Sequence, residues 1–201
     1  DPANTCRIFN ELEVDELVLL DILASRERRE PNYSLLRDIS SECFMPLAYG
    51  GGITSVEMAE QVLKIGFEKV IVNTAALQNT DLISDISKKV GSQSLIVAID
   101  VKKNWLGKER CRGLSGRWDS GMEPIEWAQH VQSKGAGEIL LNSIYKDGSG
   151  EGYDIEVLED ISALVSCPVI ACGGVGEWEH LFEALSKILL KSVIILLIYF
   201  F

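Results

Sequence analysis

Two glycine turns directly follow short apolar runs of this sequence, Gly50-Gly51-Gly52 after PLAY and Gly173-Gly174 after PVIAC. Because glycine lacks a Cβ and readily adopts positive φ, the backbone N–H groups of such a turn can converge on an anion. For either turn taken alone, a plain tight turn is an equally good interpretation. The occurrence of two such turns at corresponding positions favours phosphate binding, and it predicts a ligand that carries a phosphate at each end.

Asn73 and Thr74 stand at the end of a third apolar run, KVIVN. Their side chains can donate hydrogen bonds to a phosphate and so complete the first glycine turn. Both residue types also cap helix N-termini well, which is the structural alternative. The two roles are compatible, because a helix N-terminus is itself an anion site.

Three acidic residues end or follow apolar runs: Asp100 ends SLIVAID, Asp21 ends LVLLD, and Asp147 follows EILLNSIYK. A carboxylate at the end of a buried strand is costly unless it is paired or used in chemistry. Three such groups around one opening are enough for general acid–base catalysis by a pair of carboxylates. Asp21 and Lys102 are further candidate substrate contacts, and Lys102 binds either a phosphate or Asp100.

Metal and redox chemistry find little support in the sequence. His130 and His180 lie in amphipathic stretches and have no partner at metal-ligand spacing, so we predict neither a metal site nor a cofactor. The five cysteines form no C-x-x-C pair, which favours buried thiols in a reducing compartment. Since the chain also begins without a signal-peptide pattern, we expect a cytoplasmic protein.

The elements that must position these residues follow a regular alternation of short apolar runs with amphipathic stretches. The runs rich in Val, Ile and Leu are residues 17–23, 46–49, 69–73, 94–101, 138–142 and 168–172. The stretches with helical periodicity are residues 33–42, 55–65, 81–90, 124–133, 155–164 and 177–186. Continuous apolar runs are typical of parallel strands that are covered on both faces. The sequence therefore predicts an α/β protein with a parallel sheet.

The position of the glycine turns distinguishes a barrel from an open doubly wound sheet. No G-x-G-x-x-G pattern follows the first run, as a dinucleotide-binding fold would require. The two glycine turns instead follow the second and sixth runs, four strand–helix units apart. That spacing is expected of a (βα)₈ barrel with two similar halves, whose active site lies at the carboxyl ends of the strands.

Composition limits the partners of the protein. The chain has 201 residues and a formal net charge of −11, which predicts one domain spanning residues 1–201 and argues against nucleic acid or an anionic membrane as partner. The hydrophobic stretch 188–201 contains Lys191 and is too short to cross a bilayer, which takes about 20 apolar residues.

Together these motifs closely resemble the cyclase subunit of imidazole glycerol phosphate synthase, a (βα)₈ enzyme of histidine biosynthesis. The similar strings are DELVLLDILAS (15–25), YGGGI (49–53), EKVIVNTAAL (68–77), GSQSLIVAIDVKK (91–103), GAGEILLNSI (135–144), DGSGEGYD (147–154) and PVIACGGVG (168–176). They cover residues 1–186 in the family's order. The phrases ECFMPLAYGGGI and DVKKNWLGK also resemble a paralogous branch that is associated with amidation of surface-polysaccharide sugars.

The resemblance implies a TIM barrel of the ribulose-phosphate-binding type, with a glutaminase partner and no cofactor. Ammonia from the glutaminase would convert a ribulosyl-formimino bisphosphate into imidazole glycerol phosphate and an aminoimidazole carboxamide ribotide. Asp100 matches one of the family's two acid–base Asp residues. The first phosphate site matches Gly52, Asn73 and Thr74, and the second matches Asp147, Gly148, Gly173 and Gly174 in part. The family's gate for ammonia at the other end of the barrel matches Glu16, Lys69 and Glu138.

The sequence also departs from the family. We expect the first strand, with the other catalytic Asp, to be absent, and the eighth strand to be replaced by the divergent tail 187–201. Leu23 and Tyr145 stand where the family has Thr and Asp. Two alternatives to the histidine-pathway cyclase therefore remain: a paralogue that delivers ammonia to a lipopolysaccharide or O-antigen sugar, and a barrel that binds phosphate or a partner without catalysis.

Overall fold

The computed structural model describes residues 2–187, 192–193 and 197–200. Its strands are Leu17–Asp21 (β1), Leu47–Gly50 (β2), Lys69–Val72 (β3), Leu95–Lys103 (β4), Glu109–Gly113 (β5), Trp118–Asp119 (β6), Glu138–Ser143 (β7), Val169–Cys172 (β8), Ser192–Val193 (β9) and Leu197–Phe200 (β10). Its α-helices are Pro2–Glu11 (α1), Ala24–Glu27 (α2), Tyr33–Glu42 (α3), Val56–Ile65 (α4), Thr74–Gln78 (α5), Asp81–Val90 (α6), Pro124–Ser133 (α7), Ile155–Leu164 (α8) and Trp178–Lys187 (α9).

One sheet organises the molecule, with the order β10-β1-β2-β3-β4-β7-β8-β9. Neighbouring strands along this path are parallel. β5 and β6 branch off as an antiparallel extension of β4. The six predicted strands and the α/β class with a parallel sheet are confirmed.

Alternation along the strands divides the core into two layers. Leu17 and Leu19 of β1 belong to a large outer cluster between the sheet and the helices, whereas Val18 belongs to a separate inner cluster. The inner cluster contains buried side chains from six strands: Val18, Ala48, Ile71, Ile96, Ala98, Leu140, Ile170 and Cys172. Because six strands contribute to one inner cluster, the sheet curls around it.

The helices pack outside the sheet, and side-chain caps mark the start of α3 and α4. Ser55 caps α4 by accepting a hydrogen bond from the Met58 N–H at 3.3 Å, and Asn32 caps α3 in the same way through the Leu35 N–H at 3.2 Å. Gly66, at φ +124°, ends α4 in a conformation that other residues rarely adopt. Among the described residues, no helix is long and apolar enough to cross a membrane.

The edges of the sheet come from residues 187–201. β9 pairs with β8, and β10 pairs with β1 on the side where the resemblance places the family's first strand. Apart from the backbones of β9 and β10, residues 188–201 lie outside the described residues, and so does the predicted packing of the hydrophobic tail. The expected lack of a first strand and the expected atypical eighth strand stay predictions.

Candidate active site

A cavity of about 780 Å³ opens at the carboxyl ends of β1 to β4 and β7. Six of the candidate residues line it: Asp21, Gly52, Asn73, Thr74, Asp100 and Asp147. Four others are not among its lining residues: Lys102, Gly148, Gly173 and Gly174. The structure therefore brings the predicted acid–base residue and the first predicted phosphate site to one cavity, as their positions at strand ends require.

Asp100 lies between two side-chain amides. Its Oδ2 accepts a hydrogen bond from Nδ2 of Asn73 at 2.9 Å, and its Oδ1 accepts one from Nδ2 of Asn142 at 3.1 Å. The Oδ1 atoms of both Asn residues are buried and have no hydrogen-bond partner in the described part of the chain. The two donors hold the carboxylate in one orientation, with two amide acceptors beside it.

The surroundings of Asp100 bring its proton equilibrium close to neutrality. Burial of the carboxylate raises the pKa of Asp100 from its ordinary value of 3.8 to about 6. The hydrogen bonds from Asn142 and Asn73 limit the rise in pKa, and the negative charge of Asp147 adds to it. A carboxyl group with a pKa near 6 can accept and return a proton at neutral pH, as general acid–base catalysis requires.

Asn73 occupies the N-cap position of α5, but its side chain makes no capping hydrogen bond. Its amide is directed to Asp100 instead. The neighbouring Thr74 Oγ1 accepts a hydrogen bond from the Leu114 N–H at 2.9 Å. Since a hydroxyl can accept and donate at once, the Thr74 hydroxyl can still donate its own proton.

The connection between β5 and β6 covers one side of the cavity. Leu114 and Ser115 line it, and the Ser115 hydroxyl donates a hydrogen bond to the carbonyl oxygen of Ile22. Both residues have φ in the left-handed region, +52° and +54°. That conformation costs a residue other than glycine about 1–2 kcal/mol, so the hydrogen bonds to Thr74 and Ile22 help to hold it.

The first glycine turn leaves no room for side chains. A Cβ on Gly52, which has φ +67°, would lie 2.3 Å from the carbonyl oxygen of Arg29. A Cβ on Gly51 would lie 2.7 Å from Cβ of Asp21. The loop that follows β1 therefore packs directly on this turn, and only glycine fits there.

Asp21 faces the cavity, but its carboxylate is already occupied. The Arg29 guanidinium donates two hydrogen bonds to it, at 2.7 and 2.9 Å, and the N–H groups of Leu23 and Ala24 donate two more. The positive charge of Arg29 thus offsets the charge of the Asp21 carboxylate, and the four hydrogen bonds hold the carboxylate in place. Of the other two acidic residues singled out in the sequence, Asp100 lies inside the cavity between two amides, and Asp147 is exposed at its opening.

The second glycine turn lies at the same end of the sheet but packs against another loop. Gly173 and Gly174 have φ of +89° and +103°, and a Cβ on Gly174 would lie 2.2 Å from the carbonyl oxygen of Gly152. The Gly152 N–H in turn donates a hydrogen bond to the Gly174 carbonyl at 2.7 Å. Gly148 has φ +74° and open space around it. The role of these glycines in phosphate binding stays a prediction.

At the opposite end of the sheet, the structure brings Glu16, Lys69 and Glu138 together. The Lys69 Nζ lies 2.9 Å from Oε1 of Glu16 and 3.0 Å from Oε1 of Glu138. Burial alone would lower the pKa of the Lys69 ammonium, but the hydrogen bonds and charges of the two carboxylates outweigh it and raise the pKa. This ion triplet lies at the amino-terminal ends of β1, β3 and β7.

The sequence predictions do not include Asn142 and Arg29, which hold Asp100 and Asp21 in the cavity. Asn142 ends the run EILLN just as Asp100 ends SLIVAID, so its position carried a signal. Arg29 gave none, because it is one of several charges in ASRERRE. Its pairing with Asp21 depends on the turn after β1, which periodicity does not reveal.

The chain is similar to known proteins over nearly its whole length. A family model described as "Histidine biosynthesis protein" matches residues 1–200. A protein of Pseudomonas aeruginosa, provisionally named imidazole glycerol phosphate synthase subunit hisF2, is 47% identical over 193 residues, which are 96% of this chain and 77% of the relative. The imidazole glycerol phosphate synthase subunit HisF of Chlorobaculum parvum is 49% identical over 90% of this chain and 72% of its own length. The subunit HisF of Streptococcus sanguinis is 41% identical over 93% of this chain and 74% of its own length.

Proposed function

Because this chain belongs to the histidine biosynthesis protein family, we propose that it is the cyclase subunit of an imidazole glycerol phosphate synthase. It uses ammonia to convert a ribulosyl-formimino bisphosphate into imidazole glycerol phosphate and an aminoimidazole carboxamide ribotide. The observation that carries this proposal is the position of Asp100, which lies between two amides in a cavity that also contains a glycine turn. The names of relatives that are 41% to 49% identical support it.

Asp100 moves protons in this proposal. Ammonia condenses with the carbonyl group of the substrate and water is released, and the ring closure and bond cleavage that follow each require a proton to be removed at one atom and returned at another. The pKa of Asp100 near 6 suits both directions of transfer. The hydrogen bonds from Asn73 and Asn142 keep the carboxylate aimed while its charge changes. The exposed Asp147 raises the pKa of Asp100 through its charge.

Ammonia enters from the other end of the barrel in this proposal. The triplet of Glu16, Lys69 and Glu138 lies at that end, and the inner cluster of apolar side chains separates it from the cavity. An apolar passage favours neutral ammonia over the ammonium ion, because an unpaired charge is costly to bury. A glutaminase subunit docked at this end supplies the ammonia, and the complex works in the cytoplasm.

The paralogous function keeps one specific observation in its favour. Tyr145 replaces an Asp of the family, and its hydroxyl donates a hydrogen bond to Asp154 rather than offering a free carboxylate. A changed opening of this kind suits a protein that passes ammonia to another acceptor. The same barrel and the same ion triplet serve either function.

Conversion of the bisphosphate by the full-length gene product, supplied with ammonium chloride, tests the proposal. We expect release of imidazole glycerol phosphate at a rate that depends on the concentration of ammonia. Tight binding of the bisphosphate without product, in a correctly folded protein, would instead favour a barrel without cyclase activity. A correctly folded protein that forms no product and also fails to bind the bisphosphate would favour the paralogous function.

A further inference from the structure

The cavity that is proposed to hold a bisphosphate has an acidic lining. Four carboxylates line it: Asp21, Glu30, Asp100 and Asp147. The cationic side chains among its lining residues in the described part of the chain are Arg28 and Arg29. A ligand with two phosphates would add further negative charge to this wall. A cation at the cavity that is free to meet a phosphate would offset this charge.

The Arg29 guanidinium is already paired with carboxylates of the protein. Its guanidinium donates two hydrogen bonds to Asp21 and lies 2.6 Å from Oε2 of Glu27. The hydrogen bonds to Asp21, and to a smaller extent the one to Glu27, hold the pKa of the Arg29 guanidinium above its ordinary value. Taking Arg29 away from Asp21 would leave a buried carboxylate without its cation, which is strongly unfavourable.

Arg28 is in the opposite situation. It is exposed, it lines the cavity, and among the described residues its guanidinium makes no hydrogen bond or ion pair. Its backbone adopts the left-handed conformation, with φ 54° and ψ 38°, at the C-cap of α2. A residue other than glycine in this conformation is strained, and such strain is often retained where the side chain has a function.

The backbone places Arg28 next to the first glycine turn. The carbonyl oxygen of the following residue, Arg29, approaches Gly52 so closely that a Cβ there would lie 2.3 Å away. The Arg28 side chain therefore leaves the main chain within one residue of the contact with Gly52. A guanidinium at this position can donate two parallel hydrogen bonds to phosphate oxygens.

We propose that Arg28 binds the substrate phosphate that sits at the glycine turn Gly50–Gly52. This inference rests on the proposed function, because it assumes a phosphate-bearing substrate. Arg28 supplies the positive charge that the acidic cavity otherwise lacks, and Arg29 supplies the rigid attachment by tying the loop to Asp21. Neither the glycine turn nor Asn73 and Thr74 brings a formal charge of its own.

Calorimetric titration of the full-length protein with the ribulosyl-formimino bisphosphate, and separately with inorganic phosphate, tests the inference. We expect Arg28→Gln to weaken binding of the bisphosphate roughly tenfold or more, because hydrogen bonds between charged groups are the strong ones. Arg28→Lys should recover part of the loss, and the affinity of the Gln variant should depend less on salt. The matched control is Arg26→Gln. Arg26 is an exposed residue of α2, two positions before Arg28, and it does not line the cavity.

Arg28→Gly separates binding from folding. Glycine adopts the left-handed conformation without strain, so we expect this variant to unfold at the same or a higher temperature and still to lose affinity. Equal affinity of the wild type, Arg28→Gln and Arg26→Gln would overturn the role of Arg28 while leaving the proposed function intact. A wild type that binds neither the bisphosphate nor phosphate would overturn both.

Discussion

Asp100 combines two features that oppose each other at the level of a single residue. Burial raises its pKa and so penalises the charged form, whereas the amides of Asn73 and Asn142 stabilise that form through hydrogen bonds. The sequence predicts the position of Asp100, because a carboxylate at the end of an apolar run stands out. It does not predict the two amide donors, since their contacts require three strand ends to meet.

The pKa of Asp100 predicts a pH-dependent change in stability. Because the folded protein raises the pKa from 3.8 to about 6, the folded state binds the proton more tightly than the unfolded state. Ionised Asp100 therefore destabilises the fold, and the free energy of unfolding falls as the pH rises from about 4 to about 6, with little further effect of this group above that range.

We expect Asp100→Asn to remove this dependence and to stabilise the protein at pH 7 by roughly 1–3 kcal/mol. The new amide nitrogen can donate to the unpartnered Oδ1 of Asn73 or Asn142 after that one amide rotates, while the new amide oxygen still accepts from the other. Urea unfolding of wild type and variant at several pH values measures the effect. A variant that is less stable than the wild type at pH 7 would contradict this account of the site.

At the level of elements, helices with a clear apolar face were predictable. The predicted bounds of α3, α6, α7 and α8 agree with the structure, and those of α4 and α9 differ by one residue. Helix α1 was not predicted, although its segment PANTCRIFNE buries Cys6 and packs Ala3 and Phe9 against the outer core cluster. Apolar periodicity does not indicate β5 and β6, because ERCRG and WD form no apolar run; the family resemblance alone implies a hairpin after Asp100, and the structure pairs β5 with β4 and β6 with β5.

The first glycine turn offers a prediction that separates steric contact from backbone strain. Gly52→Ala places a Cβ against the Arg29 carbonyl at 2.3 Å, so we expect a loss of about 2–4 kcal/mol in stability and weaker binding of the bisphosphate. Thermal unfolding and calorimetry measure the two effects. The control is Gly107→Ala, which has a similar φ of +76° and nothing within 4 Å, and which should show the cost of strain alone. Equal effects of the two substitutions would show that the contact with Arg29 is unimportant.

The whole molecule separates two charged ends by an apolar core. The ion triplet of Glu16, Lys69 and Glu138 lies at one end, and the cavity with Asp100 opens at the other. Charge and glycine spacing in the sequence indicated a locally held anion. They did not show that the second glycine turn packs against the loop at Gly152 rather than lining the cavity, because the path of that loop is set by tertiary contacts.

Lys69→Met tests whether ammonia from the glutaminase enters at the end of the sheet where the ion triplet lies. The substitution leaves the exposed Glu16 and the partly buried Glu138 without their cation, so we expect a loss of roughly 1–2 kcal/mol in stability. In the complex with the glutaminase, turnover driven by glutamine should fall several-fold, whereas turnover driven by ammonium chloride should be retained. The control is Lys134→Met, whose ammonium pairs with the exposed Asp81 at 2.8 Å. Equal losses with both nitrogen sources would argue against an entrance for ammonia at this end.

In the proposed function, Asp100 transfers protons to and from a bound bisphosphate. Its most direct test compares binding and ammonia-dependent turnover of the ribulosyl-formimino bisphosphate in the wild type, Asp100→Asn and Asp85→Asn, the last of which changes an exposed carboxylate on α6. We expect Asp100→Asn to bind the bisphosphate within a few-fold of the wild type but to lose turnover roughly 100-fold or more, and Asp85→Asn to behave as the wild type. Undiminished turnover by Asp100→Asn would contradict a role of Asp100 in proton transfer.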